Sequence, residues 1–158
     1  MRYWLFKTEP GTFSFDDLMA APKRTTHWDG VRNYRARGFL RDQVKVGDKV
    51  FIYHSSIEEP CVVGIAEVAR AGYPDRSAFD KNDAHYDPES DPSNPTWFMV
   101  DVRGIERLPR PVTLSEMRAD KALAGMELLK KGNRLSIQEV RPAEWARVCA
   151  MSGRKATG

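Results

Sequence analysis

The sequence predicts an α+β domain in which a mixed sheet curls toward a small barrel, with helices at its periphery. Aromatic and β-branched runs stand near both ends and in the middle of the chain, and helix-starting signals lie between them. The chain has 158 residues, the length of one domain. A domain of that size buries about 70% of its unfolded surface, so its core needs neither disulfide nor metal. The fold is expected to occupy residues 1–150, with 151–158 as a flexible tail of Gly, Ser, Thr and basic residues.

Taken in order, Arg2 to Lys7 alternates and is rich in aromatics, as a strand would be, until Glu9-Pro10-Gly11 turns it. Ser14, with Asp17 three residues on, starts a short helix that ends before Pro22. Asn33 caps a helix running to about Gln43, which Val46-Gly47-Asp48 turns into a strand. Lys49 to His54 and Cys61 to Ala69 then form an antiparallel pair around a polar loop. Asp75 to Asp101 is acidic and contains Pro74, Pro88, Pro92 and Pro95 in or beside it, which predicts a long surface loop. Thr96 to Glu106 is the clearest strand, and Thr113 with Glu116 opens a helix after Pro109 and Pro111. A second short helix over Ala122 to Lys131 closes at Gly132. Leu135 to Val140 is the last strand, and Pro142 opens a terminal helix that Gly153 ends.

Hydrophobic residues make up 41% and charged residues 30%, with a mean hydropathy of −0.55, values of a soluble domain. No apolar run approaches the ~20 residues that span a bilayer. The start shows no secretory pattern, so a cytoplasmic protein is expected, a monomer without membrane contact. Cys61 and Cys149 have no zinc or disulfide spacing and read as packed thiols. The formal charge is only +3, too small by itself to imply nucleic acid.

Distribution is more informative than the net charge. Between Lys23 and Arg41 the cations Lys23, Arg24, Arg32, Arg35, Arg37 and Arg41 face the single acid Asp29, and Trp28, Tyr34 and Phe39 lie among them. Cations neutralise phosphates and aromatic faces stack bases at ~1–3 kcal/mol each, so this segment has the chemistry of a nucleic-acid surface. Asn33 adds an amide that both donates and accepts. The competing reading is an amphipathic helix with a solvated basic face. Trp4 and Trp97 either fill the core or wall a pocket, with Lys7, Ser55, Ser56 and Ser136 as polar contacts.

Catalytic patterns are weak. His54 and Ser55 are neighbours on a strand and point to opposite faces, so they do not form a nucleophile and base. His27, His54 and His85 fit no metal signature, and Asp75, Asp83 and Asp87 lack the rhythm of a calcium loop. Phosphate loops, dinucleotide fingerprints and nucleophile elbows are missing, and no cofactor is expected. An enzyme acting on a nucleotide, with Lys7, His54 or Asp29 as acid or base, remains the alternative. An interaction module built on the acidic loop is a third reading.

Several segments together resemble the EVE domain proteins of bacteria, similar to the thymocyte nuclear protein family of eukaryotes. They are Trp4-Leu5-Phe6-Lys7-Thr8-Glu9-Pro10, Trp28-Asp29-Gly30-Val31-Arg32-Asn33-Tyr34-Arg35-Ala36-Arg37, Gly47-Asp48 with Tyr53-His54-Ser55, Val63-Gly64-Ile65-Ala66, Pro95-Thr96-Trp97, and Arg134-Leu135-Ser136. The resemblance runs from Tyr3 to about Val148. It implies a PUA-like fold and a reader, not a catalyst, of a modified base such as 5-methylcytosine in DNA or RNA. By the same resemblance Trp28, Val31, Arg32, Asn33, Tyr34, Ser55 and Trp97 line the base pocket, with Trp4, Lys7, Leu135 and Ser136 near the same cavity. Lys23, Arg24, Arg35 and Arg37 are expected on the nucleic-acid backbone. Cys61 stands where many relatives have Gly, and His85 where they have an aromatic residue.

Overall fold

The computed structural model describes residues 1–155. Six strands form one mixed sheet in the order β2-β5-β4-β3-β1-β6. They are β1 (Tyr3–Thr8), β2 (Thr25–Trp28), β3 (Lys49–His54), β4 (Cys61–Pro74), β5 (Phe98–Thr113) and β6 (Ile137–Val140). The helices are α1 (Phe15–Ala20), α2 (Tyr34–Gly38), α3 (Leu114–Ala119) and α4 (Pro142–Met151).

Pairing is antiparallel throughout except between β1 and β3, which run parallel from Tyr3 beside Lys49 to Thr8 beside His54. A parallel neighbour needs a crossover, which α1, β2 and α2 supply. Both faces of the sheet are covered. Trp4 and Phe6 project into one cluster with Trp28, Phe15, Leu18 and Leu40, while Leu5 between them joins Phe51, Met117, Trp145 and Val148 on the other side. All of Trp4, Leu5 and Phe6 are fully buried, so β1 reads as a continuous apolar run. The Trp145 indole stacks on Phe51 at 3.7 Å and fixes α4 to the second face.

The expected barrel does not close by hydrogen bonds. β2 and β6 are the sheet's two edges. The sheet nonetheless curls strongly, because Trp28 on the edge strand β2 packs against Phe6 on β1, with ring centroids 5.5 Å apart. The shared core holds the curl without a closing ladder.

Other boundaries differ from the expected ones because of strand pairing and core packing. β5 continues through Pro109 and Pro111. Its register with β4 jumps from Gly64 opposite Arg107 to Val62 opposite Val112, so both prolines fall in a bulge. β2 pairs only with Val100–Arg103, so the proline end is an edge on that side and no ladder N–H is missed. Strand β2 itself was not anticipated. The expected helix over 122–131 is two separate 3₁₀ turns, Lys121–Leu123 and Glu127–Leu129, broken by extended Met126. The break lets Leu123, Met126 and Leu128 all bury in one cluster.

The caps follow expectation: Ser14 with Asp17 on α1, Thr113 with Glu116 on α3, and Asn33 on α2, where Phe39–Gln43 continues as a π turn. Of the tail, Met151 ends α4, Ser152 is buried with its hydroxyl donating to the Cys149 carbonyl at 2.6 Å, and Arg154 pairs with Glu106. Residues 156–158 lie outside the described residues.

Candidate nucleic-acid interface

One end of the curled sheet opens as a cleft of about 630 Å³, between the exit of β1, the turn after it, and the exit of β2. The end of β1 supplies Lys7 and Glu9, the following turn Phe13, and β2 supplies His27 and Trp28. Trp28 is 8% exposed; Phe6 tilts against it, and Phe13 meets it edge-on at 6.4 Å. This gives an apolar aromatic floor under a polar rim, the usual composition of a pocket that orients a ligand.

The far wall depends on Gly30. Its φ is +75°, and a Cβ there would lie 2.5 Å from the His85 imidazole. Only a residue without a side chain lets the His85 ring close against the backbone. Gly30 N donates to Asp75 Oδ2 at 2.9 Å, and Asp75, fully buried, also accepts from Ser77 Oγ at 2.6 Å and Arg32 Nη1 at 3.0 Å. Burial alone would raise the Asp75 carboxyl, but the hydrogen bonds from Ser77, Gly30 and Arg32 outweigh it and hold its pKa below the ordinary value. Arg32 Nη2 donates to the His85 carbonyl at 2.7 Å, and its guanidinium lies 5.3 Å from the Trp97 ring centre. One buried ion pair therefore ties the 29–32 loop to the acidic segment. That segment is the frame of the cleft.

Charge inside the cleft is unusual. Burial lowers the Lys7 pKa and so eases loss of its proton. Burial, reinforced by the negative charges of Asp75 and Asp83, raises the Asp29 carboxyl. His27 Nδ1 is 2.9 Å from Asp101 Oδ1, and the Tyr73 hydroxyl, bonded to the same carboxylate, is 3.0 Å from that nitrogen. Ligand atoms of Asp29, Asp83 and His85 come within 4.8 Å of one another, which makes these the residues that could meet a cation. No sequence spacing pointed to that trio.

The residues singled out from sequence are dispersed. Lys7 and Trp28 line the cleft. Val31 is buried in the first core cluster, and Arg32 is committed to Asp75. Asn33 spends its side-chain oxygen on the N–H groups of Arg35 and Ala36, so it caps α2. Tyr34 is 68% exposed and tilts against Trp97 with ring centres 5.1 Å apart, and neither lines the cleft. Trp97 is buried and its Nε1 donates to Asp87. Trp4 belongs to the core, with Nε1 donating to Asp48 at 2.9 Å. Ser55 donates to the Thr8 carbonyl, and the Ser136 carbonyl accepts from Lys7 N, so both brace the β1 end from behind. Leu135 lines a different cavity.

Among the cations, Lys23 and Arg24 are exposed at φ 55° and 54°, just before β2, and form no ion pair among the described residues. Arg35 pairs with Glu127 at 3.6 Å, and Arg37 lies over Tyr34. His54, one of the alternative acid–base residues, accepts from Phe15 N at 3.0 Å through Nε2 and so serves the start of α1. Sequence reasoning passed over Phe13, Glu9 and Gly30 as site residues. Only the Asp29-Gly30 turn signal hinted at the last.

The comparisons agree with this architecture. The family model described as the EVE domain matches residues 2–151. Thymocyte nuclear protein 1 of Homo sapiens is 42% identical over 160 residues, covering 90% of this chain and 70% of that protein. A crystal structure of the human THYN1 protein in complex with 5-methylcytosine-containing DNA superposes with a TM-score of 0.91 at 39% identity, covering 99% of this chain and 100% of that one. A hypothetical protein from Leishmania major superposes at 0.90 with 42% identity over 97% of this chain and 95% of that one. An ASCH protein from Zymomonas mobilis, 10% identical with a TM-score of 0.55, shares the fold alone. With the family model spanning the sheet, the cleft and α4, this chain belongs to the EVE domain family.

Proposed function

We propose that the protein is a nucleic-acid-binding reader that takes a modified base of the 5-methylcytosine type into the cleft between β1 and β2. The observation that carries this reading is the Trp28–Phe13 floor beneath two acceptors, Glu9 and Asp29, in a family whose human member is crystallised with 5-methylcytosine DNA. A cytosine offers its exocyclic amino group to a carboxylate and its flat face to an aromatic ring. Exposed Lys23 and Arg24, leading into β2, meet the phosphates on approach. Removing the base from its stack costs a few kcal/mol, which stacking on Trp28 and these charges offset. Burial of one methyl contributes only ~0.8 kcal/mol, so preference for methylated over plain cytosine is about fourfold.

Fluorescence anisotropy with labelled oligonucleotides, plain or modified, at two salt concentrations tests the reading. Affinity falls as salt rises, and the Lys23→Ala/Arg24→Ala pair flattens that slope without changing base preference. Trp28→Ala, checked for folding by circular dichroism, loses ~1–3 kcal/mol of binding, about 5- to 150-fold. A folded Trp28→Ala protein that binds every modified oligonucleotide like the parent would sink the assignment. A second reading, an enzyme acting on a nucleotide in the same cleft, draws on the lowered Lys7 amine and the raised Asp29 carboxyl. Mass spectrometry of the recovered ligand separates the two, since a reader returns it unchanged.

A further inference from the structure

Two segments distant in sequence, the turn after β2 and residues Asp83 to His85 of the acidic segment, are pinned to one buried ion pair. Gly30 N donates to Asp75 Oδ2, and Arg32, which pairs with that same carboxylate at 3.0 Å, donates to the His85 carbonyl at 2.7 Å. The pinning brings the side chains of Asp29, Asp83 and His85 together, with one ligand atom of each within 4.8 Å of the other two. His85 Nδ1 is 3.2 Å from Asp83 Oδ1. Its Nε2 edge rests on the Gly30 backbone, where a Cβ would lie 2.5 Å away, so Nδ1 is the nitrogen left for a ligand. Arg32 is taken by Asp75 and His85 by Asp83, and Asp29 forms no ion pair among the described residues.

Donors that share one Zn²⁺ at ~2.0–2.2 Å sit roughly 3.4 Å apart in a tetrahedral shell. Asp83 and His85 stand near that separation, and Asp29 has to close by about 1 Å, a movement open to an exposed side chain. Asp29 and His85 line the β1–β2 cleft, while Asp29 and Asp83 line a neighbouring cavity of about 300 Å³ with Asp80 and Arg76, so an ion has access from two sides. We infer that Asp29, Asp83 and His85 form a divalent-metal site on the wall shared by these two cavities, selective for a borderline ion of the Zn²⁺ type over Mg²⁺ and Ca²⁺. An imidazole nitrogen beside carboxylates suits Zn²⁺, whereas the hard ions take oxygen ligands and Mg²⁺ gives up its waters reluctantly. Three protein ligands leave a fourth position for water or a ligand oxygen. The inference does not depend on what the cleft binds.

Zinc and magnesium chlorides are the probes, titrated calorimetrically into the untagged full chain without nucleic acid, so that a failed reading of the cleft leaves the result standing. A single Zn²⁺ is expected to bind, with Mg²⁺ about tenfold or more weaker. Of the three imidazoles, only that of His85 should shift in the NMR spectrum as zinc is added. Asp29→Asn, Asp83→Asn and His85→Gln, each checked for folding by circular dichroism, lose about tenfold or more in zinc affinity. Asp83→Asn keeps the oxygen that accepts from His85 N at 2.8 Å, so its loss reports the metal and not the turn. His27→Gln, which breaks the other exposed imidazole–carboxylate contact, that with Asp101, leaves zinc affinity unchanged. Zinc that shifts His27 or His54 in place of His85 overturns the inference, and so does equal binding of Mg²⁺. Asp29→Asn protein that binds zinc like the parent overturns it too, because the ion then sits on the local Asp83–His85 pair alone.

Discussion

Replacing Gly30 with Ala tests whether the cleft wall is built as described. At φ +75° an L-residue carries a penalty of about 1–2 kcal/mol, and the backbone cannot relax out of that conformation cheaply. Gly30 N is held by Asp75, which is itself buried and bonded to Arg32 and Ser77. The new Cβ would lie 2.5 Å from His85 Nε2 and 2.6 Å from Cε1. Ordinary carbon contacts are ~3.5–4.0 Å, so the ring must retreat by about 1 Å or more. Because the His85 side chain is 45% exposed, it can swing outward, and the steric part of the cost is small.

The expected result is a loss of about 1–2 kcal/mol in urea unfolding, or roughly 2–8 °C in Tm for a domain of this size. The His85 ring signals should shift in the NMR spectrum, and binding in the cleft should weaken more than stability does. A Gly30→Ala/His85→Ala double variant separates the two causes. It retains the backbone penalty and removes the clash, so the two substitutions couple by less than about 0.5 kcal/mol in stability. If Gly30→Ala stays within about 0.5 kcal/mol of the parent and the His85 signals do not move, both the left-handed conformation and the close approach are refuted.

Three other substitutions follow from the same contacts. Asp48, 3% exposed, accepts from Trp4 Nε1, Lys45 N and Arg2 N, so Asp48→Ala orphans donors in the core and costs about 3 kcal/mol or more in urea unfolding. A loss under about 1 kcal/mol would show that water replaces the carboxylate. Asp75 has a folded-state pKa below its ordinary 3.8, so its contribution is full above pH 3.8 and vanishes as pH falls through the lower folded value. The urea midpoint of the parent should therefore drop below pH 3.8 more steeply than that of Asp75→Asn, and equal slopes refute the assignment. Tyr53 and Tyr73 are each pushed up to about 12, Tyr73 by burial and then by Asp101. Folding thus favours the neutral phenols, a contribution complete below pH 10 and lost toward pH 12, and Tyr73→Phe should delete one late-titrating phenol from the ultraviolet titration.

What the sequence made legible was chiefly local. Ser14 with Asp17, Thr113 with Glu116 and Pro142 mark helix starts through chemistry confined to one turn, and each starts a helix in the structure. Non-local balances were illegible. Prolines normally end a strand, but Pro109 and Pro111 fall where β5 bulges and has no outer neighbour, a fact of pairing and not of the residues. The segment 122–131 has the composition of a helix, yet packing Leu123, Met126 and Leu128 into one cluster splits it. Barrel closure would have required β2 to reach β6, and no local pattern reports that distance.

The candidate site shows the same division more sharply, because its charges have two kinds of work. From composition, every cation between Lys23 and Arg41 is equally available to phosphate. In the fold, Arg32 is spent on buried Asp75, Arg37 lies over Tyr34, Arg35 pairs with Glu127 and Arg41 with Asp42, which leaves Lys23 and Arg24, just before β2, without an ion pair among the described residues. The acidic segment that nearly cancels the net charge is what consumes Arg32, and through Gly30 and His85 it shapes the cleft wall. Its acids are part of the site's construction and not a repulsive surface opposite it. A reader with this wiring approaches nucleic acid through a few free cations and discriminates inside the cleft. Its salt dependence should therefore be shallow, about two phosphate contacts' worth, with a log–log slope near −2. A measured slope of −5 or steeper would mean that the paired arginines leave their carboxylates on binding, and that the acidic frame opens.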